Sequence, residues 1–260
     1  MSRNKETGAK IDRRNFLVRG LQLSGLLLLS GCDNLSRSEW FPRFLSSAEG
    51  LTRRAQRVLT PRGAMAREYT EADRSALFPT NGNTDPDNPE YQALAQNNFA
   101  DWRLEVAGLV ERPGRFSLSD LKALPSRTQI TRHDCVEGWS AIAKWKGVPL
   151  GALLGPARPL VSARYVVFHC ADPDEEGISY YESLDFDDAF HPQTILAYEL
   201  NDEPLPIGHG APIRVRVERQ LGYKMAKYIM RIELVDRLDK IGGGKGGYWE
   251  DQGYEWYAGI

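Results

Sequence analysis

Residues 131–154 read TRHDCVEGWSAIAKWKGVPLGALL, and Cys135 lies within them in a polar, charged setting. The chain has two other cysteines, Cys32 and Cys170. Residue chemistry leaves four roles open for Cys135: half of a disulfide with Cys170, a nucleophile, a ligand to a soft or high-valent metal, or buried filler. His133 would share its face of a strand and could serve as a base. A lone cysteine without a CxxC pair argues against structural zinc.

Composition is that of a globular protein with a sizeable buried core. The chain has 260 residues, of which 42% are hydrophobic and 26% charged. This length suits one large domain or two small ones. The formal net charge of -2 gives no support to a nucleic-acid partner. Three cysteines are too few for a disulfide scaffold.

Residues 1–32 have the character of an export signal. Arg13 and Arg14 form a twin-arginine pair, and a modest apolar run follows at residues 21–29. That run is shorter than the roughly 20 apolar residues that span a bilayer. The order of charge followed by apolar residues predicts a twin-arginine signal, which moves folded proteins to the periplasm. The alternative is an amphipathic helix that begins the fold.

Cys32 closes the sequence Leu-Ser-Gly-Cys at residues 29–32, which resembles the lipobox of bacterial lipoproteins. The resemblance implies that Cys32 is lipidated and anchors the chain to a membrane, where Asp33 favours the inner membrane. The alternative is ordinary peptidase cleavage with an incidental cysteine.

The remainder divides into an arm and one catalytic domain. Residues 33–76 show little periodicity and predict a linker or wrap-around arm, and residues 77–260 form the domain. Residues 78–90 are dense in turn-forming residues and predict an irregular loop.

Strand patterns outnumber helix patterns in the domain, which predicts an α+β fold with mixed β-sheets and short helices. No GxGxxG or Walker motif is present. The predicted strands are at residues 102–110, 127–135, 163–171, 194–206, 211–218 and 227–236, and the predicted helices at 117–124, 149–155 and 182–191.

The stretch around Cys135 resembles the molybdenum-ligand segment of the sulfite oxidase family. Residues 187–236, with Leu-Ala-Tyr-Glu, His-Gly and Pro-x-Arg motifs, resemble a second stretch of that family in the same order. The resemblance covers residues 78–260 and is closest to the branch of bacterial periplasmic methionine-sulfoxide reductase catalytic subunits. It implies the sulfite-oxidase-type molybdopterin-binding fold and a molybdenum-molybdopterin cofactor.

The same resemblance implies roles for individual residues. Cys135 would be the thiolate ligand of molybdenum, and an arginine would suit a pterin phosphate because its planar fork donates two bonds. Tyr254 and then Tyr248 would line the substrate pocket, with packing over a sheet as the alternative. The implied pterin-binding residues are Asn81, His209, Arg214, Met225, Ala226 and Lys227, and Cys170 occupies a cofactor-contacting position in a role left open.

Departures from the sulfite-oxidizing members favour another substrate. Those enzymes carry arginines after the ligand cysteine, whereas Val136 and Glu137 stand here, and Glu137 would repel a sulfite dianion. The sequence therefore favours oxygen-atom transfer from S- or N-oxides over sulfite oxidation. With no haem-binding domain in this chain, a monomer would exchange electrons with a membrane haem protein or a cytochrome c. The remaining alternatives are a non-catalytic envelope binding protein and a thiol enzyme using Cys135 and His133.

Overall fold

The computed structural model describes residues 40–260, apart from the side chains of residues 42–47 and 49. The predicted export signal and Cys32 therefore lie outside the described residues. The chain divides into two compact units, residues 1–55 and 56–260. The second unit takes in residues 56–76, which the sequence assigned to the arm.

Helix α1 spans Trp40–Leu59. The prediction of little periodicity in residues 33–76 is therefore wrong for the part that forms α1. Apolar residues recur at positions 41, 44, 48, 51, 55 and 58, a spacing of three or four that defines one face of a helix. None of the described helices is both long and apolar enough to cross a membrane.

The first sheet has five strands in the order β2-β1-β10-β5-β6. The pair of β1 and β10 is parallel and the other pairs are antiparallel, so the predicted mixed sheet is confirmed. Its strands are β1 (Leu104–Gly108), β2 (Gly114–Phe116), β5 (Tyr165–Pro173), β6 (Ser179–Asp185) and β10 (Ile229–Val235).

The second sheet is antiparallel, in the order β3-β4-β7-β8, and β9 also pairs with β7. Asn201 and Asp202 turn β7 into β8 with φ values of 54° and 72°, the two left-handed residues that a type I′ hairpin requires. The turn predicted at these residues is confirmed. The strands are β3 (Arg127–Asp134), β4 (Ser140–Pro149), β7 (Ile195–Leu200), β8 (Glu203–Pro204) and β9 (Arg214–Arg216).

Short helices join the strands. Ser117 caps α3, because its Oγ atom accepts the backbone N–H of Asp120 at 3.1 Å. The α-helices after α1 are α2 (Pro89–Gln96), α3 (Leu118–Ala123), α4 (Leu150–Ala157), α5 (Phe186–Ala189) and α6 (Tyr248–Asp251), and 3-10 turns lie at Glu71–Asp73, Ile207–His209 and Gly222–Lys224.

Two predicted elements are corrected. Residues 182–185 continue β6 opposite β5, and the helix predicted at 182–191 is reduced to α5, capped by Asp185, which accepts the N–H of Asp188. The strand predicted at 211–218 is confined to β9, because β7 offers it three partners, Ile195 to Ala197, and a turn follows at Val217.

The largest hydrophobic cluster draws on both sheets and on α4. Val106, Phe168 and Ile232 come from the first sheet, and Val148 and Leu196 from the second. All five side chains are fully buried. The two sheets thus share one core, and the candidate site forms where the ends of β3 and β5 approach each other.

Candidate active site

Cys135 begins the tight loop that joins β3 to β4. Its N–H donates to the carbonyl of Trp139 at 2.9 Å, and the N–H of Gly138 donates to the carbonyl of Cys135 at 3.1 Å. Gly138 has a φ of 89°, which favours glycine. The loop holds the half-buried Cys135 at the wall of a cleft of about 320 Å³.

Segments distant in sequence build the rest of this cleft. Residues 81–83 form one rim, and residues 172–174, at the end of β5, form another. Residues 225–227 contribute to the wall between β9 and β10. Aromatic residues from β6 and the C-terminal segment complete the lining.

Five rings form a continuous aromatic wall on one side of the cleft. Tyr248 is stacked on Tyr180 with ring centroids 5.5 Å apart, and Trp249 follows at 5.4 Å. Tyr254 lies 5.3 Å from Trp249 and 5.2 Å from Tyr223. The aromatic wall is defined as Tyr180, Tyr223, Tyr248, Trp249 and Tyr254. Both tyrosines predicted from the sequence therefore lie at the cleft.

Lys227 holds the rim at residues 81–83 in place. Its Nζ atom donates to the carbonyls of Asn81 and Asn83, each at 2.6 Å, and more weakly to Gly208 at 3.5 Å. Burial and the nearby Arg214 lower the pKa of Lys227 to about 8. Lys227 therefore holds residues 81–83 in place and also adds a positive charge to the cleft lining.

Arg214 is a fully buried cation whose donors are only partly used. Its two terminal nitrogens donate to the carbonyls of His209 and Met225, both at 3.2 Å, while its Nε atom has no partner. Burial and the neighbouring Arg216 lower the pKa of Arg214 to about 9. The Nδ1 atom of His209 is also buried without a partner, and burial lowers the pKa of His209 to about 4. The pair is suited to an anionic group, which would satisfy both orphan atoms.

His133 is held by a neighbouring cation. Arg216 donates to its Nδ1 atom at 2.8 Å and forms a two-pronged ion pair with Glu218 at 3.0 and 2.7 Å. Burial lowers the pKa of His133 well below its usual value, with Arg216 adding to the effect. His133 is therefore neutral, and its accepting nitrogen is already occupied.

These contacts argue against two of the roles left open for Cys135, the disulfide and the nucleophile. Cys135 and Cys170 are both free thiols, so the disulfide is not formed. The Nδ1 atom of His133 accepts from Arg216, which leaves it unsuited to activate a nucleophile. Burial raises the pKa of the Cys135 thiol. Cys135 is half-buried in the cleft lining and is not core filler, and its role as a metal ligand stays a prediction.

Cys170 lies on β5 and is buried. Burial raises its pKa well above the usual value, Asp172 adds to the effect, and Lys227 opposes it. Cys170 is not among the side chains that line the cleft.

The structure brings seven of the ten predicted site residues to the cleft lining: Asn81, Cys135, Met225, Ala226, Lys227, Tyr248 and Tyr254. Arg214 and His209 lie behind them, and Arg214 is close enough to lower the pKa of Cys135 slightly against the effect of burial. The sequence missed Asn83, Asp172, Tyr180, Tyr223 and Trp249, which carry no spacing that relates them to Cys135.

Three acidic side chains are part of the cleft lining. They are Glu137, Asp172 and Asp174, and Asn83 donates to Asp172 at 2.8 Å. Burial raises the pKa of Asp172, partly opposed by this bond. Among the described lining residues, Lys227 alone carries a positive charge.

Residues 91–240 match the family described as the oxidoreductase molybdopterin binding domain. The match covers more than half of the chain, and the chain belongs to this family. The resemblance seen in the sequence is thereby confirmed, as is its α+β class with two sheets. The protein is accordingly a molybdopterin oxidoreductase.

Three known proteins are similar to this chain. A protein of Azospira oryzae, named provisionally as the protein-methionine-sulfoxide reductase subunit YedZ1, is 38% identical over 258 residues, 98% of this chain and 92% of its own length. The protein-methionine-sulfoxide reductase catalytic subunit MsrP of Xanthomonas axonopodis pv. citri is 39% identical over 165 residues, 60% of this chain. The match spans about half of MsrP, at 51% of its length. The sulfane dehydrogenase SoxCD of Paracoccus pantotrophus aligns with a TM-score of 0.49 and 22% identity, over 66% of this chain and 51% of that one.

The residues present fit the cofactor that the family implies. The unpartnered Nε atom of Arg214 and Nδ1 atom of His209 need an acceptor or donor that the described protein groups do not supply. A phosphate provides strong acceptors for such groups. Arg214 and His209 would hold the anionic part of molybdopterin, and Cys135 would present its sulfur to molybdenum. The cofactor, once bound, would supply two-electron oxygen-atom chemistry at the metal.

Proposed function

We propose that this oxidoreductase removes an oxygen atom from S-oxides, and from N-oxides of similar size, with two electrons and two protons. Each turnover converts R₂S=O to R₂S and water. The observation that carries the proposal is the charge of the cleft, which presents Glu137, Asp172 and Asp174 and a single cation. Carboxylates repel a sulfite dianion but tolerate a neutral sulfoxide. This supports reduction over sulfite oxidation.

The chain's own residues have separable tasks. The aromatic wall offers ring faces and edges to a sulfur-containing side chain, a contact that is favourable for methionine-like groups. Asp172 is the lining carboxyl whose pKa burial raises, so it can hold a proton beside the bound substrate. Lys227 keeps residues 81–83 over the cofactor side of the cleft.

The relatives' names suggest which S-oxide to test first. Two of them are named as protein-methionine-sulfoxide reductases, and one of these is called a catalytic subunit. We infer that methionine sulfoxide within a polypeptide is the substrate. The wall supports this inference, because an apolar aromatic surface accepts a side chain presented by a peptide.

The test uses protein loaded with molybdopterin and a reduced viologen dye as electron donor. We expect turnover with a peptide containing methionine sulfoxide and weaker turnover with dimethyl sulfoxide or an N-oxide. Sulfite oxidation with ferricyanide is measured in parallel. Faster sulfite oxidation than sulfoxide reduction would overturn the proposal. Metal and pterin analysis of the same sample separates a non-catalytic binding protein from an enzyme supplied with the wrong substrate.

We further propose that electrons come from a separate membrane haem protein and that the chain acts as a monomer beside it. The subunit names of the relatives support a partner of some kind. Spectra of membranes containing a candidate haem protein would show reoxidation of its haem when this chain and a sulfoxide are added. No reoxidation with any membrane fraction of the native host would contradict the proposal.

We also propose export through the twin-arginine route, with Cys32 as a lipid anchor. The support is the sequence at Arg13, Arg14 and residues 29–32. Replacing both arginines by lysine should retain the chain in the cytoplasm, and Cys32→Ser should abolish incorporation of labelled palmitate. Periplasmic accumulation of the double-lysine variant would contradict this route.

A further inference from the structure

We propose that a buried ionic triad of Lys224, Glu182 and Glu250 positions the aromatic wall for substrate, so that Glu250 is a positioning residue of the reaction. The inference rests on the proposed function for its substrate. It concerns side chains that are not part of the cleft lining.

The triad is completely enclosed. The Nζ atom of Lys224 donates to Oε1 of Glu182 and to Oε1 of Glu250, the latter at 2.5 Å, and all three side chains have no exposed surface. The second oxygen of each carboxylate is buried without a partner. Burial alone would lower the pKa of Lys224, but the two carboxylates raise it above its usual value. Lys224 therefore carries a positive charge. It links β6, through Glu182, to α6, through Glu250.

Each member adjoins a ring of the aromatic wall. Lys224 directly follows Tyr223, and Glu250 directly follows Trp249 within α6. Glu182 lies two residues after Tyr180 on β6, so both side chains project from the same face of the strand.

Each member of the triad is therefore within two residues of one ring of the aromatic wall. Tyr180, Trp249 and Tyr223 are three of the five rings, one near each end and one in the middle of the series of ring contacts. We expect a displaced carboxyl group to displace the ring near it in the sequence, Tyr180 for Glu182 and Trp249 for Glu250.

The backbone at the start of α6 packs directly on the triad. A Cβ atom added to Gly247 would lie 2.0 Å from Oε2 of Glu250 and 2.8 Å from Oε1 of Glu182. The absence of a side chain at Gly247 lets α6 begin against the two carboxylates. This contact adds to the hydrogen bond in fixing where Tyr248 and Trp249 project.

Stability alone does not account for such a cluster. Removing a lysine and two carboxyl groups from water is costly, and apolar side chains of similar volume often stabilise a core as well or better. The hydrogen bonds of Lys224 add a fixed geometry, because they hold one acceptor on β6 and one on α6 in set positions. A fixed geometry is useful where aromatic rings must be positioned for a substrate.

Glu250→Ala is the decisive variant. It leaves Lys224 paired with Glu182 and so creates no orphan charge, but it frees α6. We expect KM for the sulfoxide peptide to rise by about tenfold with a smaller change in kcat, because ring positions are lost while the reacting centre is retained. Glu250→Gln keeps an acceptor for Lys224 and should restore KM close to that of the wild type.

A matched control removes a carboxylate from a similar cluster away from the cleft. Lys144 lies between Glu71 and Asp202 at 2.7 and 2.8 Å. Glu71→Ala should leave KM and kcat unchanged. Gly247→Ala, which retains all three charges but displaces α6, should raise KM as Glu250→Ala does and covers the case in which that variant fails to fold.

Hydrogen exchange supplies a readout that needs no activity. The amides of Asp251 and Tyr254 donate to the carbonyls of Gly247 and Trp249, so Glu250→Ala should exchange faster at these two amides than Glu250→Gln. An active wild type with an unchanged KM in Glu250→Ala and Gly247→Ala overturns the inference. Equal exchange in the two Glu250 variants also overturns it. An inactive but cofactor-loaded wild type, with faster exchange in Glu250→Ala, would instead reject the proposed substrate and leave the positioning of α6 supported.

Discussion

Arg216 donates to the Nδ1 atom of His133 at 2.8 Å, and both side chains are fully buried. A guanidinium only donates, so Nδ1 must accept and the imidazole carries its proton on Nε2. His133 is thereby fixed in one neutral tautomer, and its unprotonated nitrogen already accepts a hydrogen bond from Arg216. The nearest candidate base to Cys135 in the sequence is thus a structural partner of an arginine.

Cys135 should react slowly with an alkylating reagent in cofactor-free protein. Burial raises the pKa of its thiol, so the reactive thiolate is scarce at neutral pH. We expect the rate of iodoacetamide labelling to keep rising with pH above the range of an ordinary cysteine. Peptide mass spectrometry gives the rate for each thiol, and Cys170, which is more deeply buried, should label more slowly still. A rate that is already maximal near pH 7 would restore the thiol-enzyme interpretation.

Arg214→Met should separate cofactor retention from stability. Arg214 is buried without a carboxylate partner among the described residues, so its removal should leave the cofactor-free protein as stable as before or up to about 2 kcal/mol more stable. The same variant should lose bound pterin, because a phosphate would lose its charge-assisted bonds. Urea unfolding and pterin fluorescence measure the two effects.

Arg216→Met is the matched control for that experiment. Its removal leaves the buried Glu218 without its ion-pair partner and with the amide of Gln129 as a donor, which should destabilise the protein by about 3–5 kcal/mol. Equal destabilisation by both substitutions would mean that Arg214 is already compensated within the protein.

Lys227→Met should loosen the rim of the cleft. Two carbonyls, of Asn81 and Asn83, lose a charged donor at 2.6 Å, at a cost of about 2 kcal/mol or more. We expect faster proteolytic cleavage near residues 81–83, measured against Lys146→Met, which removes a half-buried lysine bonded to Glu199. Identical cleavage rates would show that other contacts hold the loop.

Stability should fall as the pH is lowered below about 6.5, the ordinary pKa of histidine. Burial is the main cause that lowers the pKa of all four histidines, His133, His169, His191 and His209. The unfolded chain then binds protons that the native chain does not, so the free energy of unfolding decreases as pH falls. For His209 the loss continues to about pH 4. Urea titrations at pH 7 and pH 5 measure this decrease in the free energy of unfolding. The decrease should be smaller in His209→Asn. An equal decrease would show that His209 does not contribute to it.

Much of the fold could be predicted because strand patterns reflect burial. Strand β10 and the hairpin at Asn201 and Asp202 follow from local sequence. Strand β4 was missed, because the half-buried Ile142 interrupts the alternation of Ala141, Ala143 and Trp145. The sequence predicts a helix near residue 182 because acidic residues are rare in buried strands. Glu182 is nevertheless buried in β6, where it pairs with Lys224, a residue distant in sequence.

The site was predictable where the family resemblance applied. Cys135, Arg214 and Lys227 lie in segments that carry recognisable motifs, and the structure brings them near one cleft. The roles of Tyr180 and Tyr223 depend on how β6 and the segment after β9 meet in space. No local pattern encodes that meeting. The same limit applies to Glu250, whose partner Lys224 lies 26 residues earlier in the chain.

The segment at residues 66–75 has a consequence for how this protein behaves at high concentration. Strand β3 is the outermost strand of its sheet, yet Glu68 bridges to Thr131 and the N–H of Tyr69 donates to the carbonyl of Ile130 at 2.8 Å. Unpaired strand edges are templates on which other chains add and aggregate. By covering this edge with its own backbone, the chain removes a site for edge-to-edge self-association beside the loop that presents Cys135.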